Sequence, residues 1–288
     1  MRAVLKREFR AYFQSPLGFV FIAALYFFTA YYFFTFNLYR NTTDMSNLFD
    51  QLFTVVLFLV PVLTMRLMSE DKRARTDQLL LTAPVSRIGI VLGKYLSALL
   101  VYLIAISGTL LMAVVMSFYA SPDWPVVIGN LIGLVMLGAS LIAICMFLSS
   151  LTESQVIAAV ATAGVLILLY LWDGIVNFLP TAAAGNLVGV LLCAVALGCL
   201  VYHLTSNGII GGVVGGVCAV AAIVCYVVDS TLFESLLPNL LGTFSLTGVL
   251  TNFASNTLFD LSGLLLYLSL TALMLFLTVQ MIQRRRWN

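Results

Sequence analysis

MSEDKRARTDQLLLTAPVSRIGIVLGKY, residues 68–95, is the one long charged stretch in a chain that is otherwise an almost continuous run of apolar side chains. Charged residues make up 9% of the 288 positions and hydrophobic ones 62%, with a mean hydropathy of +1.08. That leaves too little polar surface to keep an ordinary soluble domain in water, so the bilayer must solvate most of the chain. The island at 68–95 therefore divides one set of membrane crossings from another, and the polar segments outside the bilayer carry what can be read of function.

A helix needs about 20 apolar residues to cross a hydrocarbon core of roughly 30 Å, rising about 1.5 Å per residue. Working outward from the island, such stretches fall near 17–37 and 51–68 before it, and near 95–118, 126–148, 155–178, 186–204, 208–228 and 262–282 after it. The expected fold is an all-α polytopic transmembrane bundle of eight spans: six core spans plus an extra hairpin at 186–228. The two members of that hairpin can also be read as one tilted span with a re-entrant piece, which returns a six-span plan.

Basic residues set orientation through the positive-inside rule. Arg2, Lys6, Arg7 and Arg10 precede the first span. Arg66, Lys72, Arg73, Arg75, Arg87 and Lys94 lie between spans two and three, and Arg284, Arg285 and Arg286 follow the last. Only Arg40 falls on the other side, where Asp44, Asp50, Asp123, Asp229, Glu234 and Asp260 gather. Both termini are expected in the cytoplasm under either span count. The first apolar segment is long, aromatic and without a small-residue cleavage site, so it reads as a retained span. All five cysteines lie within hydrophobic stretches and read as small buried residues.

Residues 1–14 place Leu5, Phe9, Tyr12 and Phe13 on one helical face, with Arg2, Lys6, Arg7 and Arg10 mostly on others, until Ser15-Pro16 ends the pattern. An interfacial amphipathic helix among lipid headgroups and a plain basic flank are the two readings. Within the island, Thr76 is a candidate N-cap and Asp77 favours the first turn of a helix. Leu79, Leu80 and Leu81 give that helix an apolar face and Pro84 bars easy continuation; a solvated loop is the alternative. Thr231 to Glu234 has capping-box spacing, and Leu232, Phe233, Leu236 and Leu237 form an apolar face before Pro238. With a second candidate near 244–254, this predicts two short helices in the outer leaflet. Gly211/Gly215 and Gly212/Gly216 repeat at small-xxx-small spacing, for packing within the subunit or along a dimer seam.

Ionisable residues inside the spans are scarce. Asp173 sits beside Tyr170 and Trp172 and reads as interfacial or as a substrate contact; His203 reads as a helix-end residue. This scarcity argues against a proton-coupled pump and an intramembrane protease. No GxxxxGK[ST] phosphate loop occurs, so any ATP hydrolysis must come from another chain.

Thr76-Asp77-Gln78-Leu79-Leu80-Leu81-Thr82-Ala83-Pro84-Val85-Ser86, followed by Ile90-Val91-Leu92-Gly93-Lys94-Tyr95, resembles the first cytoplasmic loop of ABC-2-type ABC transporter permeases, with the flavour of the gliding-motility-associated permease subunit. Arg7-Glu8-Phe9, Tyr12-Phe13 and Ser15-Pro16 resemble the family's entry helix, and Asp260 through Tyr267 to Arg284-Arg285-Arg286 its last span and basic tail. Arg75 stands where members commonly carry Gly.

The resemblance implies a type V exporter-like permease fold in the bacterial cytoplasmic membrane. It implies an elbow helix at 1–14, a coupling helix within 69–84, a second contact at Ser149–Ser154, and outer-leaflet re-entrant helices at 230–256. The ATPase-coupling residues are then expected to be Glu70, Arg73, Arg75, Thr76, Asp77, Gln78, Leu79, Leu80, Pro84, Ser150 and Glu153. Leu79 and Leu80 would seat in a groove of the ATPase while Glu70, Arg73 and Asp77 set register. The membrane-interface residues are Arg2, Lys6, Arg7, Phe9 and Arg10. The chain would bind no cofactor of its own, ATP and Mg belonging to an ABC ATPase subunit. A second permease copy or a different permease, and lipid, complete the partners; nucleic acid is not among them. The function expected is the membrane subunit of an ATP-driven exporter rather than an enzyme. A non-transporting scaffold or signalling subunit is the alternative, and a secondary transporter or channel is disfavoured by the missing intramembrane charges and by the lack of broken helices at matched positions.

Overall fold

The computed structural model describes residues 1–73, 86–205, 208–243, 245–246, 248–249 and 261–284, all of them helical or in connections between helices. The chain divides into two compact units, Met1–Tyr170 with Leu246–Asn288, and Leu171–Ser245.

In the first unit, α1 (Arg2–Gln14) stops at Ser15, whose extended backbone is what the following proline requires, and Pro16 opens α2 (Pro16–Tyr32) at a position where no amide hydrogen is needed. A π-helical turn, Phe33–Leu38, extends α2. At its end the buried Asn37 side-chain amide donates to Thr42 O at 3.1 Å and Asp44 O at 3.0 Å, folding the connection back toward α3 (Ser46–Thr64). A tight turn leads to α4 (Ser69–Arg73). Ser86 caps α5 (Arg87–Ser117), its hydroxyl accepting from Gly89 N at 3.2 Å. Then follow α6 (Trp124–Leu151), α7 (Gln155–Tyr170) and, at the end of the chain, α12 (Leu261–Arg284). Helices α3, α5 and α6 supply most of the core, with Leu48, Leu52, Val56, Val101, Leu137 and Ile142 fully buried. Two tyrosines are also sealed inside, each with its hydroxyl satisfied: Tyr102 donates to Leu134 O at 2.8 Å and Tyr267 to Leu246 O at 2.6 Å.

The second unit holds α8 (Trp172–Asn177), α9 (Ala183–Thr205), α10 (Gly208–Val228), a 3₁₀ turn at Ser230–Phe233 and α11 (Leu236–Gly242). α9 and α10 form a hairpin whose backbones meet where glycine faces glycine: a Cβ on Gly215 would stand 3.3 Å from Gly198 Cα and 3.2 Å from Ala194 O. Gly212 and Gly216 meet nothing within 4 Å. Of the described glycines in the pattern, Gly215 packs inside the subunit, and Gly212 and Gly216 do not take part in that contact.

Among the described residues, six helices are long and apolar enough to cross a membrane: Pro16–Leu38, Ser46–Arg73, Arg87–Ser117, Trp124–Leu151, Ala183–His203 and Leu261–Gln283, with window hydropathies of 1.9 to 2.7. These correspond to six of the eight expected crossings. The stretch expected at 155–178 divides at Leu171 into α7, 16 residues long, and α8, 6 residues long. Sixteen residues reach about 24 Å, short of the hydrocarbon thickness. α10, Gly208–Val228, is 21 residues long, about 31 Å at about 1.5 Å per residue, which is enough to reach across the hydrocarbon core.

Two local expectations change in the 229–243 region. The cap lies two residues before Thr231: the Asp229 carboxylate accepts from Thr231 N at 3.0 Å and Thr231 Oγ1 at 2.6 Å, which holds its pKa below the ordinary carboxylate value. Pro238 does not end a helix but sits in the first turn of α11, where a missing amide hydrogen costs nothing. Ser235, left-handed at φ 54°, makes the turn into α11. The second short helix expected near 244–254 lies almost wholly outside the described residues.

Candidate functional site: an ionic junction at the base of α4

Four chain segments converge where α1, the turn after α3, α4 and the first turns of α5 meet. Gly93 permits the approach of α1 to α5: a Cβ there would lie 3.1 Å from Val4 Cβ, tighter than ordinary contact. The next residue, Lys94, faces inward with Ile90, Val91 and Ala98 and is 2% exposed. A buried ammonium is costly unless its charge and its three N–H groups are matched. Here they are. Lys94 Nζ donates to Leu67 O at 2.7 Å, pairs with Asp71 Oδ2 at 2.7 Å and approaches Glu8 Oε1 at 3.4 Å.

The Glu8 oxygen is shared. Arg7 Nη2 lies 2.5 Å from the same Oε1, and this hydrogen bond raises the Arg7 pKa above its ordinary value. On the other side of the turn, Arg66 grips Glu70 with two hydrogen bonds, Nε to Oε2 at 2.9 Å and Nη2 to Oε1 at 2.6 Å. Arg7, Glu8, Tyr12, Arg66, Glu70 and Asp71 border a cleft of about 380 Å³. Tyr12 closes its inner wall, donating to Leu63 O at 3.1 Å, and burial raises its phenol pKa.

The C-terminal end of α6 holds α4 in place. Ser149, fully buried, uses its hydroxyl to capacity: it accepts from Met68 N and Ser69 N, each at 3.3 Å, and donates to Met65 O at 3.2 Å. Lys72 Nζ donates to Ser150 O. These tethers fix where the described turns of α4 sit.

The expected coupling residues divide accordingly. Glu70 is occupied by Arg66 and Ser150 is 1% exposed, its carbonyl turned to the chain's own Lys72. Ser149 and Ser150 belong to α6, leaving 152–154 as the connection, where Glu153 is exposed; Arg73 is exposed at the end of α4. Arg75, Thr76, Asp77, Gln78, Leu79, Leu80 and Pro84 lie outside the described residues. On α1, Arg2, Lys6, Arg7 and Arg10 are exposed and Phe9 is half-buried, but Tyr12, expected on the lipid face, packs into the protein. The sequence reading passed over the Lys94–Asp71–Glu8 cluster, counting Lys94 only as a topology charge. Its apolar helical neighbours at 90, 91 and 98 were the available sign that it points inward.

Among the described residues no group of three or more His, Cys, Asp or Glu side chains is placed to hold a metal. The junction offers paired charges and backbone tethers, without a nucleophile and base in reach of each other. It is a packed ionic junction in a polytopic helical membrane protein. The profile of the ABC-2 family transporter proteins matches residues 7–210, more than half of the chain, and the chain belongs to that family. No curated protein matches the sequence. Members of the family are membrane-embedded permease subunits that work with ABC ATPase subunits and have no ATPase site of their own.

Proposed function

We propose that this chain is the membrane subunit of an ATP-driven exporter, in which a separate ABC ATPase moves the segment beginning at α4 and the helices convey that movement to a pathway between two permeases. The observation that carries the reading is the tethering of α4: it is held by Ser149, Ser150 and Lys94, and the chain continues from it into the 74–84 segment whose Leu79 and Leu80 suit an apolar groove. In this reading both termini are cytoplasmic, α1 is the elbow helix at the inner membrane surface, and 230–256 lies at the outer one. α10, and α7 with α8 aided by local thinning of the bilayer, complete eight crossings. Arg73 and Glu153 are the described, exposed residues that meet the ATPase. The second permease is another copy of this chain or a different permease subunit.

Equal affinity of the coupling segment for both nucleotide states of the ATPase would shift nothing, so the drive requires unequal binding. The test is purification of the chain from its native membrane. An accompanying ATPase whose hydrolysis responds to a transported amphiphile supports the exporter. A companion that hydrolyses ATP without any vesicle uptake identifies a scaffold or signalling subunit instead.

A further inference from the structure

We propose that Lys94 is the positioning residue that transmits displacement of α4 to α1, by passing its ammonium from Asp71 to Glu8. The inference rests on the reading of the chain as an ATPase-driven permease. Its basis is an asymmetry in one buried cluster. Lys94 stands on α5 and holds Asp71 of α4 at 2.7 Å, but Glu8 of α1 only at 3.4 Å. The Glu8 oxygen it approaches is already taken by Arg7 at 2.5 Å. One arm is closed and the other is loose.

A buried ammonium cannot stand without a carboxylate partner. If α4 carries Asp71 away, Lys94 must close on Glu8 or follow α4. Closing on Glu8 pulls on α1, and because Val4 already lies against Gly93 that pull turns α1 about this contact rather than pressing it closer to α5. Following α4 drags the first turns of α5. In either case the displacement leaves α4 and reaches a neighbouring helix. Arg7 supports the exchange: it keeps Glu8 charge-balanced while Lys94 is turned to Asp71, so neither acid is left uncompensated in the resting arrangement.

The exchange requires a redundancy that a single salt bridge lacks, and a distance measurement separates it from a static cluster. Either acid can hold the ammonium, so losing one is tolerated and losing both is not. In the detergent-solubilised full chain, Glu8→Gln and Asp71→Asn each lower the folded fraction modestly at a fixed temperature. The double variant lowers it by about tenfold more than the product of the two singles, as expected for directly coupled groups. Adding Lys94→Met to the double variant restores folding, because the stranded charge is gone. Multiplicative single effects, or a triple variant no better than the double, overturn the proposal.

A second measurement reads transmission in the assembled permease and ATPase. Spin labels at Arg2 and Arg73 report a nucleotide-dependent distance change in the parent, and Glu8→Gln abolishes the α1 component while leaving ATPase association intact. An unchanged distance response in Glu8→Gln overturns the hand-off. A parent with no ATPase companion, together with a strongly coupled double variant, instead overturns the exporter reading and leaves the exchange standing.

Discussion

Tyr102 lies so close to Gly138 that a Cβ at that glycine would meet the phenol ring at 2.0 Å from Cζ, while the Tyr102 hydroxyl donates to Leu134 O one turn earlier on the same helix. α5 and α6 are thus keyed by a ring that fills the notch a glycine leaves. Gly138→Ala gains about 1 kcal/mol of helix propensity. The ring is fully buried, so overpacking costs about 1–3 kcal/mol and the net effect is a loss of up to about 2 kcal/mol. The variant is expected to melt below the parent in detergent, and shortening the ring in Tyr102→Leu with Gly138→Ala should recover part of the loss. A melting temperature at or above the parent for Gly138→Ala would show that the notch is not filled as described.

Asn130 points the other way. It is 1% exposed within α6, and neither its Oδ1 nor its Nδ2 has a hydrogen-bond partner among the described residues. Asn130→Leu removes about 1–3 kcal/mol of unreturned desolvation and should raise the melting temperature. Transport lost in a variant of raised stability would assign the amide a role in the working cycle; a lowered melting temperature would show that the amide is satisfied.

Asn186 is the knot of the second unit. Its Nδ2 donates to Pro180 O at 2.8 Å and Ala182 O at 3.1 Å, and its Oδ1 accepts from Leu237 N at 3.1 Å, joining the start of α9 to α11. Asn186→Leu strands these backbone groups and is expected to destabilise by about 1–3 kcal/mol. Protease sensitivity between 229 and 243 should rise before the first unit is cut. Simultaneous loss of both units would show that the knot is not local.

Leu79→Asp with Leu80→Asp tests the proposed seat on the ATPase. Two carboxylates in an apolar groove oppose docking, so ATPase co-purification should fall by at least about tenfold, the equivalent of about 1.4 kcal/mol, with membrane insertion unchanged. Undiminished co-purification would remove these leucines from the contact.

The long apolar helices were legible because a bilayer imposes a length and a composition that few other constraints imitate. Six of them stand where hydropathy placed them. The division of 155–178 was less legible, since Tyr170, Leu171 and Trp172 continue the apolar run and nothing in residue type marks the turn. The base of α4 was legible as charge and not as structure. Positive-inside counting treats Lys94 as one more cation, while its partners, Asp71 and Glu8, lie 23 and 86 positions away in the chain. Ser149 shows the same limit: a serine near a helix end predicts a loop contact, and only tertiary packing brings it under Met68 and Ser69.

The anchoring of α4 on Ser149 and Ser150 also fixes a load path. Both serines end α6, a 28-residue rod about 42 Å long at about 1.5 Å per residue. In the proposed reading, force applied at α4 would be borne along a strut long enough to span the membrane, and its far end, at Trp124, would feel a push delivered at the opposite surface.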